Sequence, residues 1–133
     1  MKKHGILNAQ LAGYIAALGH KDLFVIGDAG LPIPPGIPIV DLALCGGVPS
    51  FEQTLTAVLE ETEIEYYCLA QEIVDKNDTL LHLIQDSLPD IEHEMVPHTE
   101  FKERTKNVKF AIRTGEFSAY PNIILRAGVA FPV

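Results

Sequence analysis

Groups able to trade protons near neutral pH flank one apolar run. In "LGHKDLFVIGDAGLPIPPGIPIV", residues 18–40, His20 comes shortly before "LFVIG" and Asp28 directly after it. His98 stands in "VPHTEF", and Tyr120 in the turn-rich "TGEFSAYPN". An imidazole changes charge between about pH 5 and 8, and a positioned acid or base contributes about 10²–10⁴ in rate. These residue types therefore suit proton transfer on a small polar ligand without a cofactor. Each also has a plainer reading. A histidine past a helix end satisfies orphan carbonyls and the negative end of the helix dipole. Asp28 before Ala-Gly is a common turn carboxylate, His98 before Thr99 can simply open a helix, and Tyr120 can be a core aromatic with its hydroxyl at the surface. The residues alone leave both readings open. His82, within a helical pattern, and His93, within an alternating one, fit solvent-facing positions.

Other chemistries lack their signatures. A zinc site usually shows a close pair such as His-x3-His or Cys-x2-Cys, and none occurs, so no metal is expected. There is no Gly-x-Ser-x-Gly nucleophile elbow. "GDAGLP" lacks the third glycine of a dinucleotide-binding loop and runs into proline where a helix should begin. Cys45 and Cys68 both lie in apolar segments with no helix start or basic neighbour in sequence, which suggests buried free thiols.

Those candidates need a frame to hold them. At 133 residues with 47% hydrophobic and 21% charged residues, the chain has the balance of a single folded domain, residues 1–133, with one core. A net charge of −8, with no basic cluster beyond Lys2 and Lys3, argues against nucleic-acid or acidic-membrane partners. No run reaches 18 apolar residues, and the amino terminus has no apolar core or cleavage site; the expected location is cytoplasmic.

Leu7, Leu11, Tyr14, Ile15 and Leu18 recur at helical spacing, with Asn8 placed to cap the start and Gly19 to close the end in a left-handed conformation. "LFVIG", residues 23–27, is short and continuously apolar, as a strand covered on both faces should be. Prolines 32, 34, 35 and 38 make the next stretch a stiff loop, and a strand is expected over about 39–44. Ser50 and Gln53 have capping-box spacing before a helix lined by Phe51, Leu55, Val58 and Leu59. Further elements are expected as a strand at 64–70, a helix from an Asp78 cap to Leu88, a strand at 91–96, a helix at 99–106, a strand at 108–113 and a last strand in "IILRAGVAF". This alternation predicts an α/β domain of three layers, with a mostly parallel central sheet and helices on both faces.

In such sheets ligands gather at the carboxyl ends of the strands. Asp28, His98 and the 114–122 loop belong there. His20 precedes its strand and so belongs at the opposite end. It meets Asp28 only if the turn bends back or another subunit intervenes.

"MKKHGILNAQLAGYIAALGHKDLFVIGDAGLPIP", "PHTEFKERTK" and "AIRTGEFSAYPNIILRAGVAF" together resemble the D-ribose pyranase family, whose relatives include the L-fucose mutarotases. The resemblance runs from Met1 to about Phe131, strongest up to Val40 and from Thr99 on, looser between Thr54 and Met95. It implies an isomerase that interconverts the pyranose and furanose forms of ribose, without metal, as a ring-shaped homo-oligomer, typically a decamer, with active sites at subunit contacts. It also implies that His20 is the proton donor and Asp28 a substrate ligand, with His98, Tyr120 and Asn122 touching the sugar. Two readings compete with it: a sugar-binding accessory protein without catalysis, and a mutarotase for another sugar such as fucose. Pro121 departs from the small residue usual between the tyrosine and the asparagine, and removes a backbone donor. Gly27 in place of alanine and Pro97 before His98 look harmless.

Overall fold

In a computed structural model covering residues 1–133, strand β1 (Leu23–Gly27) lies inside a six-stranded sheet of order β2-β5-β1-β6-β3-β4. The other strands are β2 (Ile39–Asp41), β3 (Ile64–Ala70), β4 (Glu92–Val96), β5 (Ala111–Arg113) and β6 (Ile123–Ala127). β2, β5 and β1 run parallel, as do β3 and β4; β6 lies antiparallel between β1 and β3. The other five strands therefore share one direction, and the sheet is mostly parallel as expected.

Because side chains alternate across a strand, β1 feeds two cores. Phe24 and Ile26 join a cluster with Leu11 and Ile15 of α1 (Ala9–Ala16), Leu55 and Val58 of α2 (Phe51–Leu59) and Ile84 of α4 (Asp78–Ser87). Val25 points to the opposite face and joins Cys68, Val96, Ile124 and Phe101, the last from α5 (His98–Arg104). The short α3 (Ile73–Lys76) contributes Ile73 to the larger cluster. Helices thus cover both faces, and α/β layering follows from apolar strands that must be buried twice.

Two caps form where the sequence placed them. The Asn8 side chain accepts from Leu11 N–H at 2.9 Å, and Ser50 with Gln53 forms a reciprocal capping box. Other expectations are corrected. α1 ends at Ala17 in a right-handed conformation, and the left-handed residue is Lys21 (φ 72), not Gly19. Asp78 is the first residue of α4 rather than its cap, and Asn77, which precedes it, makes no side-chain cap bond. β2 stops at Asp41, so Cys45 lies beyond it and is exposed; only Cys68 is buried. A basic neighbour does reach Cys68 through space, since Arg104 Nη1 is 3.9 Å from its sulfur. Burial nevertheless pushes that thiol up from its ordinary value, which keeps it protonated and inert.

Candidate functional site

The carboxyl ends of the five like-directed strands gather most of the expected groups. Because β6 runs the other way, its first turn delivers Asn122 to the end of β1. Asn122 Oδ1 accepts from Asp28 N–H at 2.8 Å, and its Nδ2 donates to Asp28 Oδ2 at 3.1 Å. Asp28 Oδ1 accepts from Gly30 N–H at 2.8 Å, the turn contact its Asp-Ala-Gly context predicts. Asn122 is only 1% exposed, so this amide is a fixed internal clamp that orients the Asp28 carboxylate.

The loop ahead of β6 is pinned along its length. Buried Thr114 donates its hydroxyl to Gly27 O at 2.8 Å, Ala29 N–H donates to Glu116 O, and Glu116 Oε1 accepts from Phe51 N–H at the start of α2. Asn77 Nδ2 donates to Ser118 Oγ and Ala119 O. The loop ends with Tyr120 in a left-handed conformation, φ 61, which a bulky residue adopts at a cost of roughly 1–2 kcal/mol. The Tyr120 and His98 rings meet in a T-shaped contact, centroids 5.1 Å apart.

His98 opens α5, and its orphan N–H donates to the carboxylate of Glu72, 3.1 Å from each oxygen. Its ring lies near Phe101, and its Nδ1 is buried without a hydrogen-bond partner in the chain. Buried polar atoms are nearly always satisfied, so this nitrogen has a hydrogen-bonding capacity that the chain itself does not use.

Gly27 proves not to be indifferent. A Cβ there would come 2.8 Å from Leu31 Cδ2 and 3.2 Å from Asn122 Oδ1. In this chain Leu31 occupies the space a methyl group would take, so alanine at this position requires Leu31 to move.

His20 lies at the other end of the sheet, in the turn before β1. That turn is tied by Lys21 N–H to Ala127 O at 2.8 Å and by the Asp22 carboxylate, which accepts from Gly19 N–H at 2.7 Å and pairs with Lys109 at 2.9 Å. These contacts, Lys109 first, hold the Asp22 carboxyl below its ordinary range. The partner of His20 is Glu65 on β3, not Asp28: Nε2 to Oε2 is 3.0 Å, with both side chains partly in solvent. Arg126 of β6 holds the other Glu65 oxygen at 2.8 Å and stacks over the Tyr66 ring at 4.6 Å. His20 and then Arg126 keep the Glu65 carboxyl below the usual carboxylate range. The separation of the two ends is real, since the five residues of β1 span roughly 17 Å.

His82 and His93 are exposed as expected, His93 stacking flat on Tyr67 at 4.8 Å. No three His, Cys, Asp or Glu side chains converge as a metal cage. At the Asp28 end one chain has a cavity of about 10 Å³ between Asp28, Leu31, Ile33 and Arg113 and a neighbouring one of about 180 Å³ between Ala29, Cys45, Arg113 and Phe117, both below the roughly 300 Å³ of an ordinary small-molecule pocket. Sequence reasoning missed Glu65 and Arg126. The one trace they leave is an outward-facing charge at the start of β3 and another near the end of β6.

Known proteins place this geometry. The D-ribose pyranase of Bacillus cytotoxicus is 49% identical over 131 residues, covering 98% of this chain and all of that one. The D-ribose pyranase of Limosilactobacillus fermentum is 46% identical with the same coverage. The structure of Bacillus subtilis RbsD complexed with D-ribose superposes with a TM-score of 0.94 at 46% identity, covering 98% of this chain and 100% of that chain. The fucose mutarotase of Streptococcus pneumoniae, in complex with L-fucose, has a TM-score of 0.80 at 24% identity over 98% of this chain and 100% of its own, a likeness of fold alone. Residues 1–130 match the RbsD / FucU transport protein family, and the chain belongs to that family.

Proposed function

We propose that this protein is a D-ribose pyranase, an isomerase that interconverts the β-pyranose and β-furanose forms of D-ribose. The observation that carries the reading is the end-to-end match, at 46–49% identity, to proteins of that name. The ribose-bound relative superposes over nearly the whole chain and supports the same sugar.

The reaction balances with protein groups alone. A base takes the proton of the anomeric hydroxyl while an acid gives one to the ring oxygen; the C1–O bond breaks and the open-chain aldehyde forms. Reclosure through a different hydroxyl reverses the transfers and changes the ring size. His20 serves as the proton donor. Asp28 accepts from sugar hydroxyls in the orientation Asn122 imposes, His98 Nδ1 receives or gives one hydrogen bond, and Tyr120 offers its ring to a sugar face. Of the segment 120–122 only Tyr120 is partly exposed in one chain, so Asn122 acts on the sugar chiefly through Asp28, and because Pro121 has no N–H, it offers no backbone donor there.

His20 and Asp28 stand at opposite ends of the sheet, and the cavities at the Asp28 end of one chain are smaller than an ordinary small-molecule pocket. The pocket is therefore completed by a second copy, whose His20 faces Asp28 and His98 across a subunit contact. A ring-shaped homodecamer in the cytoplasm, with sugar as its only partner and neither metal nor cofactor, completes the reading.

Saturation-transfer NMR on equilibrated D-ribose tests the activity: exchange between pyranose and furanose signals should speed up with added protein. Unchanged exchange alongside calorimetric binding would leave a sugar-binding accessory protein. Faster exchange on L-fucose than on ribose would reassign the substrate. Mixing His20→Ala with Asp28→Ala chains tests the shared pocket, since mixed assemblies should recover exchange that neither variant shows alone.

A further inference from the structure

Glu65 and Arg126 are built into the His20 end with more care than an exposed ion pair needs. Isolated surface pairs contribute little, about 0–1 kcal/mol, because both side chains stay free to move. Here the carboxylate is held from two sides, Oε2 by His20 at 3.0 Å and Oε1 by Arg126 at 2.8 Å. Arg126 is itself clamped, stacked on Tyr66 at 4.6 Å while its backbone pairs with that same residue. The β3–β6 ladder also slips between Ile64 and Tyr66, against Ala127 and Arg126, leaving Glu65 as the extra residue of a bulge. Bulges re-aim side chains and recur beside active sites.

We propose that Glu65 is the positioning residue for His20, fixing its Nε2–H so that Nδ1 is the nitrogen that exchanges protons with the sugar. The inference rests on His20 being the proton donor. A carboxylate that accepts from one ring nitrogen selects the tautomer and orients the other nitrogen. With Nε2 committed to Glu65, the neutral ring carries its lone pair on Nδ1, and the ring cannot flip without losing that bond. Besides His20, the charged side chain in contact with Glu65 is Arg126 of β6.

Glu65→Ala should lower kcat for ribose exchange by roughly tenfold to a hundredfold, the scale on which misplacement of a reacting group acts, with KM little changed. Glu65→Gln should recover much of that loss, because an amide oxygen still accepts from Nε2–H. In wild type labelled with ¹⁵N-histidine, the neutral His20 ring should show the Nε2–H form, and in Glu65→Ala a mixture of tautomers. Wild-type kcat in Glu65→Ala or an unchanged His20 tautomer would overturn the role of Glu65. Wild-type exchange in His20→Ala alone would instead reject the donor assignment beneath it.

Discussion

The two ends of the sheet hold their polar groups by different means. At the Asp28 end the hold is internal: a buried amide grips the carboxylate, a buried threonine closes the loop on β1, and a strained tyrosine sets the ring that faces His98. At the His20 end it is largely ionic and open to solvent, through Glu65 with Arg126 and Asp22 with Lys109. On the proposed reading, the ligand-shaping end benefits from fixed geometry, whereas a His20 that enters a neighbouring chain's pocket has to stand at the surface. β6 joins them, because its reversed direction puts Asn122 at one end and Arg126 at the other.

The largest effect separates catalysis from folding. His20→Ala should return ribose exchange to the rate without protein, a loss of at least about 10²-fold if the imidazole is the acid/base group. The side chain is 47% exposed and makes one partly exposed ion pair, so thermal unfolding should stay within about 1 kcal/mol of wild type. A variant that unfolds instead would show the His20 end to be as structural as the other.

Asn122→Ala should do the reverse. It removes the acceptor of Asp28 N–H and the donor to its carboxylate inside a site 1% exposed, which costs about 1–3 kcal/mol. The midpoint of thermal unfolding should fall by several degrees, and KM for ribose should rise as Asp28 loses its orientation. An unchanged midpoint would break the contrast between the ends.

Much of this division was legible in the chain. "LFVIG" read as a doubly covered strand because it is apolar throughout, and the rule that ligands gather at strand ends grouped Asp28, His98 and the 114–122 loop before any coordinates. The same rule put His20 apart. What failed were long-range facts carried by short-range ambiguity. Glu65 lies 45 residues from His20, and the bulge that turns it has no composition of its own. The reversed direction of β6 is invisible in "IILRA", since apolar runs look alike in either sense. Glycines 5, 36 and 47 take positive φ as their type allows, but so do Lys21, Asp90 and Tyr120, while Gly19, expected to, does not; there tertiary contacts overrode propensity.

Acid pH should weaken the ionic hold at the His20 end. Asp22 and Glu65 have folded-state pKa values below the ordinary 3.8 and 4.5, so their pairing stabilises the fold fully above those unfolded values. That stabilisation is lost as pH falls through the lower folded ones. Unfolding measured from pH 6 to pH 3 should show stability declining below about pH 4.5, and the decline should be shallower in Glu65→Gln. An identical slope in that variant would mean the pair adds nothing to folding.

The smallest effect isolates backbone from charge. Lys21 holds φ 72 next to His20, a conformation costing a non-glycine residue roughly 1–2 kcal/mol, while glycine there would cost about 0.5–1 kcal/mol in unfolded-chain entropy. Lys21→Gly should therefore raise stability by about 0.5–1 kcal/mol, a rise of a few degrees on thermal unfolding. The Lys21 N–H bond to Ala127 O survives the change, and ribose exchange should stay close to wild type because the Glu65–Arg126 pair, not the left-handed residue, sets the imidazole. Tyr120→Gly relieves the same kind of strain at the other end but removes the ring that meets His98, so it should weaken ribose binding even where it stabilises the fold. If Lys21→Gly also abolished exchange, the strained backbone would be as much a part of the His20 end as of the Asp28 end, and the ionic description of that end would fall.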